Sequence, residues 1–277
     1  MKKAKRIGMF VSAGMIMFFL AGCSRSTVTQ NSSGIWDHYI IWNFIKAIQF
    51  LSKVFGNSYG WGIIVFTIIV RVILLPLMFY QTKSMRKTTE LQPKLKKLQQ
   101  KYSAKDSETQ AKLREEQQKL YAEAGVNPVA GCLPILVQMP ILLALYQAIL
   151  RSQVLKTGSF LWMQLGDRDP YFVLPILAAI FTFATSKLSV MSQQEQNGMT
   201  AAMTYGMPAI ILFSAISLPS ALSLYWVITN AFSVGQTMLI NNPFKINKER
   251  EEKQKAEKAR KRALEKAKRK AYKSKKK

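Results

Sequence analysis

Histidine and cysteine are nearly absent from this 277-residue chain: one histidine, His38, and two cysteines, Cys23 and Cys132. A zinc site needs several such ligands together, and a disulfide framework needs paired cysteines, so neither is indicated. Acidic residues are also scarce, with 15 Asp and Glu against 40 Lys and Arg and a formal charge of +25. Their distribution matters more than their number. No carboxylate falls within any of the five long apolar stretches, 60–80, 129–150, 171–188, 201–217 and 221–240. An intramembrane aspartyl protease needs buried carboxylates, and a serine protease of that kind needs a histidine or lysine base beside its nucleophile. No catalytic set is available at membrane depth, so we expect neither enzyme activity nor a cofactor.

Apolar length is what the chain has instead. Apolar residues make up 49% of it, and that share beside so high a charge fits a membrane protein with basic surfaces. The stretch GWGIIVFTIIVRVILLPLMFY, Gly60 to Tyr80, is long enough as a helix to cross a hydrocarbon layer of about 30 Å. Arg71 sits at its middle. An arginine there costs on the order of 2.5 to 3.5 kcal/mol, so the fold has to offer it water, polar partners or a task. Four further spans follow, 129–150, 171–188, 201–217 and 221–240.

Charge sets the expected orientation. Residues 241–277 hold 17 Lys and Arg against 5 acidic residues, and 81–126 hold 11 against 6, so both segments read as cytoplasmic. Five crossings then place the N-terminus outside. Lys2, Lys3, Lys5 and Arg6 ahead of the apolar run Ile7 to Leu20 have the layout of a signal peptide over 1–22. Leu20-Ala21-Gly22-Cys23 resembles a bacterial lipobox. In such signals the cysteine is diacylglycerated and becomes the first residue of the mature chain, which here implies a lipidated Cys23 and a flexible segment over 23–34.

Between and beyond the spans, residues 35–55 mix Trp36, Tyr39, Trp42 and Ile48 with Asp37, Asn43 and Lys46, the pattern of an amphipathic helix in the outer interface. His38 reads as an interfacial side chain. In 81–126, Leu91, Leu95, Leu98 and Tyr102, then Leu113, Leu120, Tyr121 and Ala124, recur near helical spacing and predict a cytoplasmic helical hairpin. Pro93 is expected to start or kink its first arm. Ser107 with Gln110 reads as a capping box opening the second arm, and Gly125 closes it. An outer loop (151–170) and a cytoplasmic loop (189–200) join the later spans. The basic tail, 241–277, suits anionic headgroups or the phosphates of RNA, or serves only as a solvated topology signal.

Arg71 lies about nine residues from the cytoplasmic end of its span, roughly 13 to 14 Å at helical rise. Gln138 and Asn230 fall at similar depth, Thr182 somewhat nearer the cytosol, and Thr67 one turn from Arg71 on the same face. Polar groups from several helices at one level suggest a shared wet cavity, although Gln and Thr also serve as interhelical packing groups. Met191, Met199, Met203 and Met207 offer an adaptable surface near the cytoplasmic rim or ordinary packing.

A set of motifs in one order carries a resemblance. Arg71 is followed by Pro76-Leu77, then Leu91-Gln92-Pro93-Lys94, Asn127-Pro128 and Gly131-Cys132-Leu133-Pro134. Next come Gln138-Met139-Pro140, Ala144-Leu145-Tyr146, Asp169-Pro170-Tyr171 and Leu174-Pro175-Ile176-Leu177. Pro219-Ser220, Leu224-Tyr225-Trp226 and Asn230 complete the set. From Trp61 to Gln236 the chain resembles the YidC/Oxa/Alb family of membrane protein insertases, in the lipoprotein form typical of Gram-positive bacteria. Leu218 and Ala221 depart from the Phe-Pro-Ser-Gly that members often carry at this turn.

The resemblance implies an all-α membrane protein. Five transmembrane helices surround a hydrophilic groove open to the cytosol, with the interfacial helix and hairpin attached. It makes Arg71 the groove cation, with Thr67, Gln138, Thr182, Asn230 and Trp226 around it. Implied partners are nascent membrane proteins, the Sec translocon, the ribosome through the basic tail and the lipid bilayer, without specific DNA. The implied location is the bacterial cell membrane. Two other classes use similar features: an anion transporter or channel built on Arg71, and a lipid-handling membrane scaffold.

Overall fold

A computed structural model describes residues 26–127, 133–193 and 198–274. The signal segment, Cys23, Pro128, Gly131 and Cys132 lie outside the described residues. After Gly34 the chain winds as a π-helical turn, Ile35–Ile41, that runs directly into helix α1, Trp42–Val54. Ile41, Ile45, Ile48 and Ser52 form its buried stripe, the three- and four-residue spacing of an amphipathic helix with one packed face. That stripe meets helix α2, Tyr59–Lys101, across Gly62. A Cβ at Gly62 would collide with Ser52 Oγ and the Ile48 carbonyl, and one at Gly60 with the ring of Phe160. Gly62 is therefore a point of close helix approach, and Gly60 makes room for the Phe160 ring against α2.

Helix α2 is 43 residues long and joins the first span and the first hairpin arm without a break. Pro93 does not start a separate arm: it lies inside this helix, as does Pro76. A proline removes one ladder hydrogen bond and crowds the carbonyl four residues back. Strong helix formers on both sides, Glu90, Leu91 and Gln92 before and Lys94 to Lys97 after, hold the helix through that defect. The second arm, α3, is Ser107–Glu123. Its cap sits one residue earlier than expected: Asp106 Oδ2 accepts from the Thr109 N–H at 2.7 Å, while Gln110 reaches the Ala104 carbonyl at 2.8 Å. A carboxylate is the stronger acceptor for an N-terminal amide. Gly125, at φ 60°, ends the arm, and Leu91, Leu95 and Val126 pack with Leu120, Tyr121 and Ala124 to close the hairpin.

Helix α4, Leu133–Arg151, leads into the short α5, Gln153–Thr157, and a two-stranded antiparallel ribbon, β1 Ser159–Phe160 and β2 Met163–Gln164. Ser159 pairs with Gln164 and Phe160 with Met163. Helices α6 (Val173–Met191), α7 (Gly198–Ser217), α8 (Ser220–Ile240) and α9 (Pro243–Ser274) follow. Asp169, which is buried, gathers Trp162 Nε1 at 2.9 Å, the Tyr171 N–H at 3.1 Å and the Leu174 N–H at 2.7 Å. It thereby caps the start of α6. The Ser220 N–H bonds the Asp167 carbonyl and the Ala221 N–H bonds that of Leu165. The turn between α7 and α8 is thus tied to the loop that precedes α6.

Among the described residues, α2, α6 and α7 are long and apolar enough to cross a membrane, and Leu136–Arg151 of α4 is apolar but shorter. Helix α8 occupies the fifth expected position. Ile45, Ile63, Phe66, Leu145, Leu174 and Leu222 lie in a core where α1, α2, α4, α6 and α8 converge. Large apolar side chains stand exposed outside it, including Ile69, Ile73, Ile176, Ile180 and Phe213. An apolar exterior of that extent is suited to lipid.

Candidate functional site

Arg71 projects from the middle of α2 and is half-buried. Its Nη2 donates to Gln138 Oε1 on α4 at 3.2 Å, and Gln138 Nε2 donates to the Tyr225 hydroxyl on α8. Three helices are linked through one cation, one amide and one phenol. A guanidinium carries five N–H groups, yet Gln138 is the one hydrogen-bond partner of Arg71 among the described residues, and no carboxylate there pairs with it. Its charge lies close to the apolar core without a fixed counter-ion.

The other expected residues are arranged differently. Thr67, only 1% exposed, donates to the Ile63 carbonyl at 2.7 Å, and the buried Thr182 donates to that of Ala178 at 2.6 Å. Asn230 Nδ2 donates to the Trp226 carbonyl at 3.0 Å. Trp226 is half-buried and packs against the core. Of the expected set, Gln138 alone makes a hydrogen bond to Arg71; Thr67, Thr182 and Asn230 turn to backbone carbonyls. Two residues outside the expected set link these helices, and one of them, Tyr225, belongs to the Arg71 network. Tyr225 is 3% exposed and closes the Gln138 bridge, while Thr185 donates to Phe181 O at 2.9 Å and reaches Asn230 O at 3.4 Å, connecting α6 with α8. A tyrosine a few residues into a span reads as part of an aromatic belt, but a buried phenol needs a polar partner, and that requirement is the usable signal.

A second arginine is held in the opposite manner. Arg151, at the end of α4, has a side chain only 4% exposed and pairs with Asp37 at both guanidinium ends. Its Nε donates to Ser26 O at 2.7 Å and its Nη1 to Gln147 Oε1 at 3.0 Å. Gln147 Oε1 also accepts from Trp36 Nε1 at 3.1 Å, and the Val28 N–H bonds the Arg151 carbonyl at 3.0 Å. Residues 26–37 are thereby fastened to the end of α4. Gln147 faces protein, not lipid. Among the described residues no group of three His, Cys, Asp or Glu side chains is placed to hold a metal ion.

Long apolar helices packed around an arginine that has amide company and no counter-ion define a multi-pass helical membrane protein with a polar interior. The family model described as "60Kd inner membrane protein" matches residues 50–249. The chain belongs to this family, the YidC/Oxa insertase family whose motifs are set out above. The "Membrane protein insertase YidC" of Pediococcus pentosaceus is 63% identical over 255 residues, covering 91% of each chain. The "Membrane protein insertase YidC" of Enterococcus faecalis is 60% identical over 277 residues, the whole of both. A solved structure titled "Active YidC insertase crystal structure with the first transmembrane domain resolved" matches with a TM-score of 0.57 at 31% identity. That match covers 73% of this chain and 46% of the solved one, so the chain spans under half of that protein's length.

Proposed function

We propose that this protein is a membrane protein insertase in which Arg71 draws the polar tail of a substrate partway into the bilayer. The observation that carries the reading is the state of Arg71: half-buried, hydrogen-bonded to one amide, and unmatched by any carboxylate among the described residues. In surroundings of low dielectric a visiting carboxylate is attracted far more strongly than in bulk water. A groove bounded by α2, α4, α6 and α8 and open to the cytosol carries water to that depth, so the tail loses hydration over a thinner slab. The substrate's apolar segment meanwhile slides along α6 and α8 into lipid. Its own hydrophobic transfer, helped by membrane potential where the tail charge permits, supplies the driving force.

In this reading five spans place the N-terminus outside with lipidated Cys23 as anchor, and the hairpin and tail lie in the cytosol. The exposed basic helix α9 contacts ribosomal RNA phosphates, and the Sec translocon is a partner for some substrates. The names carried by relatives at 60% identity and above support the insertase class. The charge mechanism is tested by Arg71→Lys and Arg71→Ala in a strain that depends on the protein, following insertion of a short single-span substrate with an acidic tail. Lys should preserve insertion and Ala reduce it several-fold. Equal insertion by all three would remove the charge from the mechanism.

A further inference from the structure

The end of the bundle that carries the hairpin and tail encloses a cavity of about 120 Å³ between α2, α6 and α8. Arg86, Thr89, Ser189, Gln193, Gln236 and Asn241 contribute to its wall. Helical geometry connects it to Arg71. From Arg71, residues Thr82, Arg86 and Thr89 lie eleven, fifteen and eighteen positions on, which at about 100° per residue returns each to within roughly 60° of the arginine's face. On α6 the polar residues Thr182, Thr185 and Ser189 repeat every three or four positions, with Gln193 just past the end of the helix, and on α8 Gln236 is eleven positions from Tyr225. The cavity thus lies on the same faces of α2 and α8 as the Arg71 network, farther toward the hairpin, with the apolar Leu74, Leu75 and Met78 between Arg71 and Thr82. Arg86 stands about 22 Å farther along α2 than Arg71 at helical rise.

The wall of the cavity holds more donors than the protein itself satisfies. The side-chain amides of Gln193 and Gln236 have no hydrogen-bond partner among the described residues. Arg86 touches Glu90 and Glu249, each at 3.5 Å and each partly exposed, so both pairs are long, solvated and weak. Arg250, beside Glu249 on α9, has a buried Nη2 without a partner. Burial, and next the charge of Arg86, hold its guanidinium below the ordinary arginine value. Glu249 is thus a tethered carboxylate resting on Arg86, while a second cation nearby lacks a full complement of acceptors.

We propose that this cavity is a separate receiving site for carboxylate side chains of the substrate's polar tail, with Arg86 as its cation and Glu249 as the carboxylate the ligand displaces. The inference rests on the insertase reading and adds a binding step before Arg71. The space fits a carboxylate with a few waters and not a helix, and a guanidinium fork flanked by amides is the donor arrangement such a group prefers. Removing the resting carboxylate frees the site, and removing the cation abolishes its preference for acidic tails.

The test uses the full chain in inverted membrane vesicles, with a photo-crosslinker at the rim position Asn241 and a single-span substrate whose tail carries either aspartates or asparagines. The parent should crosslink the aspartate tail several-fold more than the asparagine tail. Arg86→Gln should erase that preference, Arg86→Lys should keep most of it, and Glu249→Gln should raise it about two- to threefold. Arg71→Ala should leave crosslinking at the rim intact while insertion falls. An aspartate preference that survives Arg86→Gln, or none in the parent, overturns the receiving site and leaves Arg71 untouched. Insertion unaffected by Arg71→Ala, with rim crosslinking still dependent on Arg86, instead removes the Arg71 mechanism and keeps the receiving site.

Discussion

Arg71 and Arg151 are arginines of the same bundle with opposite surroundings. Arg151 is sealed in, paired with Asp37 at both ends of its guanidinium and bonded besides to Ser26 and Gln147. Arg71 has Gln138. A buried cation with every donor engaged is a structural fastener, since removing one partner strands the other charge in a poor solvent. A cation with most donors open keeps its capacity for a ligand or water. The difference places the fastening of the fold at the N-terminal end of the bundle and the receptive polarity at its middle.

The comparison breaks most visibly in stability measurements. Arg151→Met leaves Asp37 with its charge unpaired and should cost about 3 to 5 kcal/mol, read as a large drop in the thermal unfolding midpoint in detergent micelles. Arg71→Ala removes a half-buried cation that has no counter-ion, so its midpoint should stay unchanged or rise. Equal losses from the two would erase the distinction between fastener and receptor. A smaller effect is expected from Gly62→Val, which forces α1 away from α2 where Ser52 and Ile48 approach. Overpacking of this kind costs about 1 to 3 kcal/mol. It should loosen residues 35–54 toward protease while leaving insertion less affected than Arg71→Ala does.

The smallest effect belongs to the hairpin, remote from both arginines. The Thr109 N–H holds the Asp106 carboxyl below the usual aspartate range. A carboxyl whose value is lowered on folding stabilises above its unfolded value and ceases to as pH falls through the folded one. The cap is therefore intact at neutral pH and lost only in strong acid. Asp106→Ala should speed amide exchange at Thr109 and Gln110 at pH 7 with no change in insertion. Slower or equal exchange would refute the cap.

Features governed by length and local spacing were readable in the residues. The apolar runs mark their helices because a hydrocarbon layer dictates how many apolar residues are needed. The hairpin shows in the spacing of Leu91, Leu95, Leu120, Tyr121 and Ala124, which do pack together. Arg71 stands out because a charge amid twenty apolar residues has few explanations, and Gln138 is marked both by its depth and by the Gln138-Met139-Pro140 motif.

Pairings between distant residues were not readable. Asp37 and Arg151 lie 114 positions apart, and each alone resembles a surface charge at the end of an apolar segment. Tyr225 hid beside Trp226 in a motif. The continuity of α2 was obscured because a proline marks a local defect, whereas the survival of a helix depends on its neighbours as well. Asp169-Pro170-Tyr171 was legible only as part of a family pattern, and its reason is the cap that Asp169 places on α6.

A cysteine at Leu75, one turn from Arg71 toward the hairpin, in a Cys132→Ser background, bears most directly on whether Arg71 is wet from one side. Membrane-impermeant thiol reagents applied in turn to inverted and right-side-out vesicles should label it from the cytosolic face only. Absence of labelling from either face, or ready labelling from the outside, would contradict a groove that brings cytosolic water to Arg71.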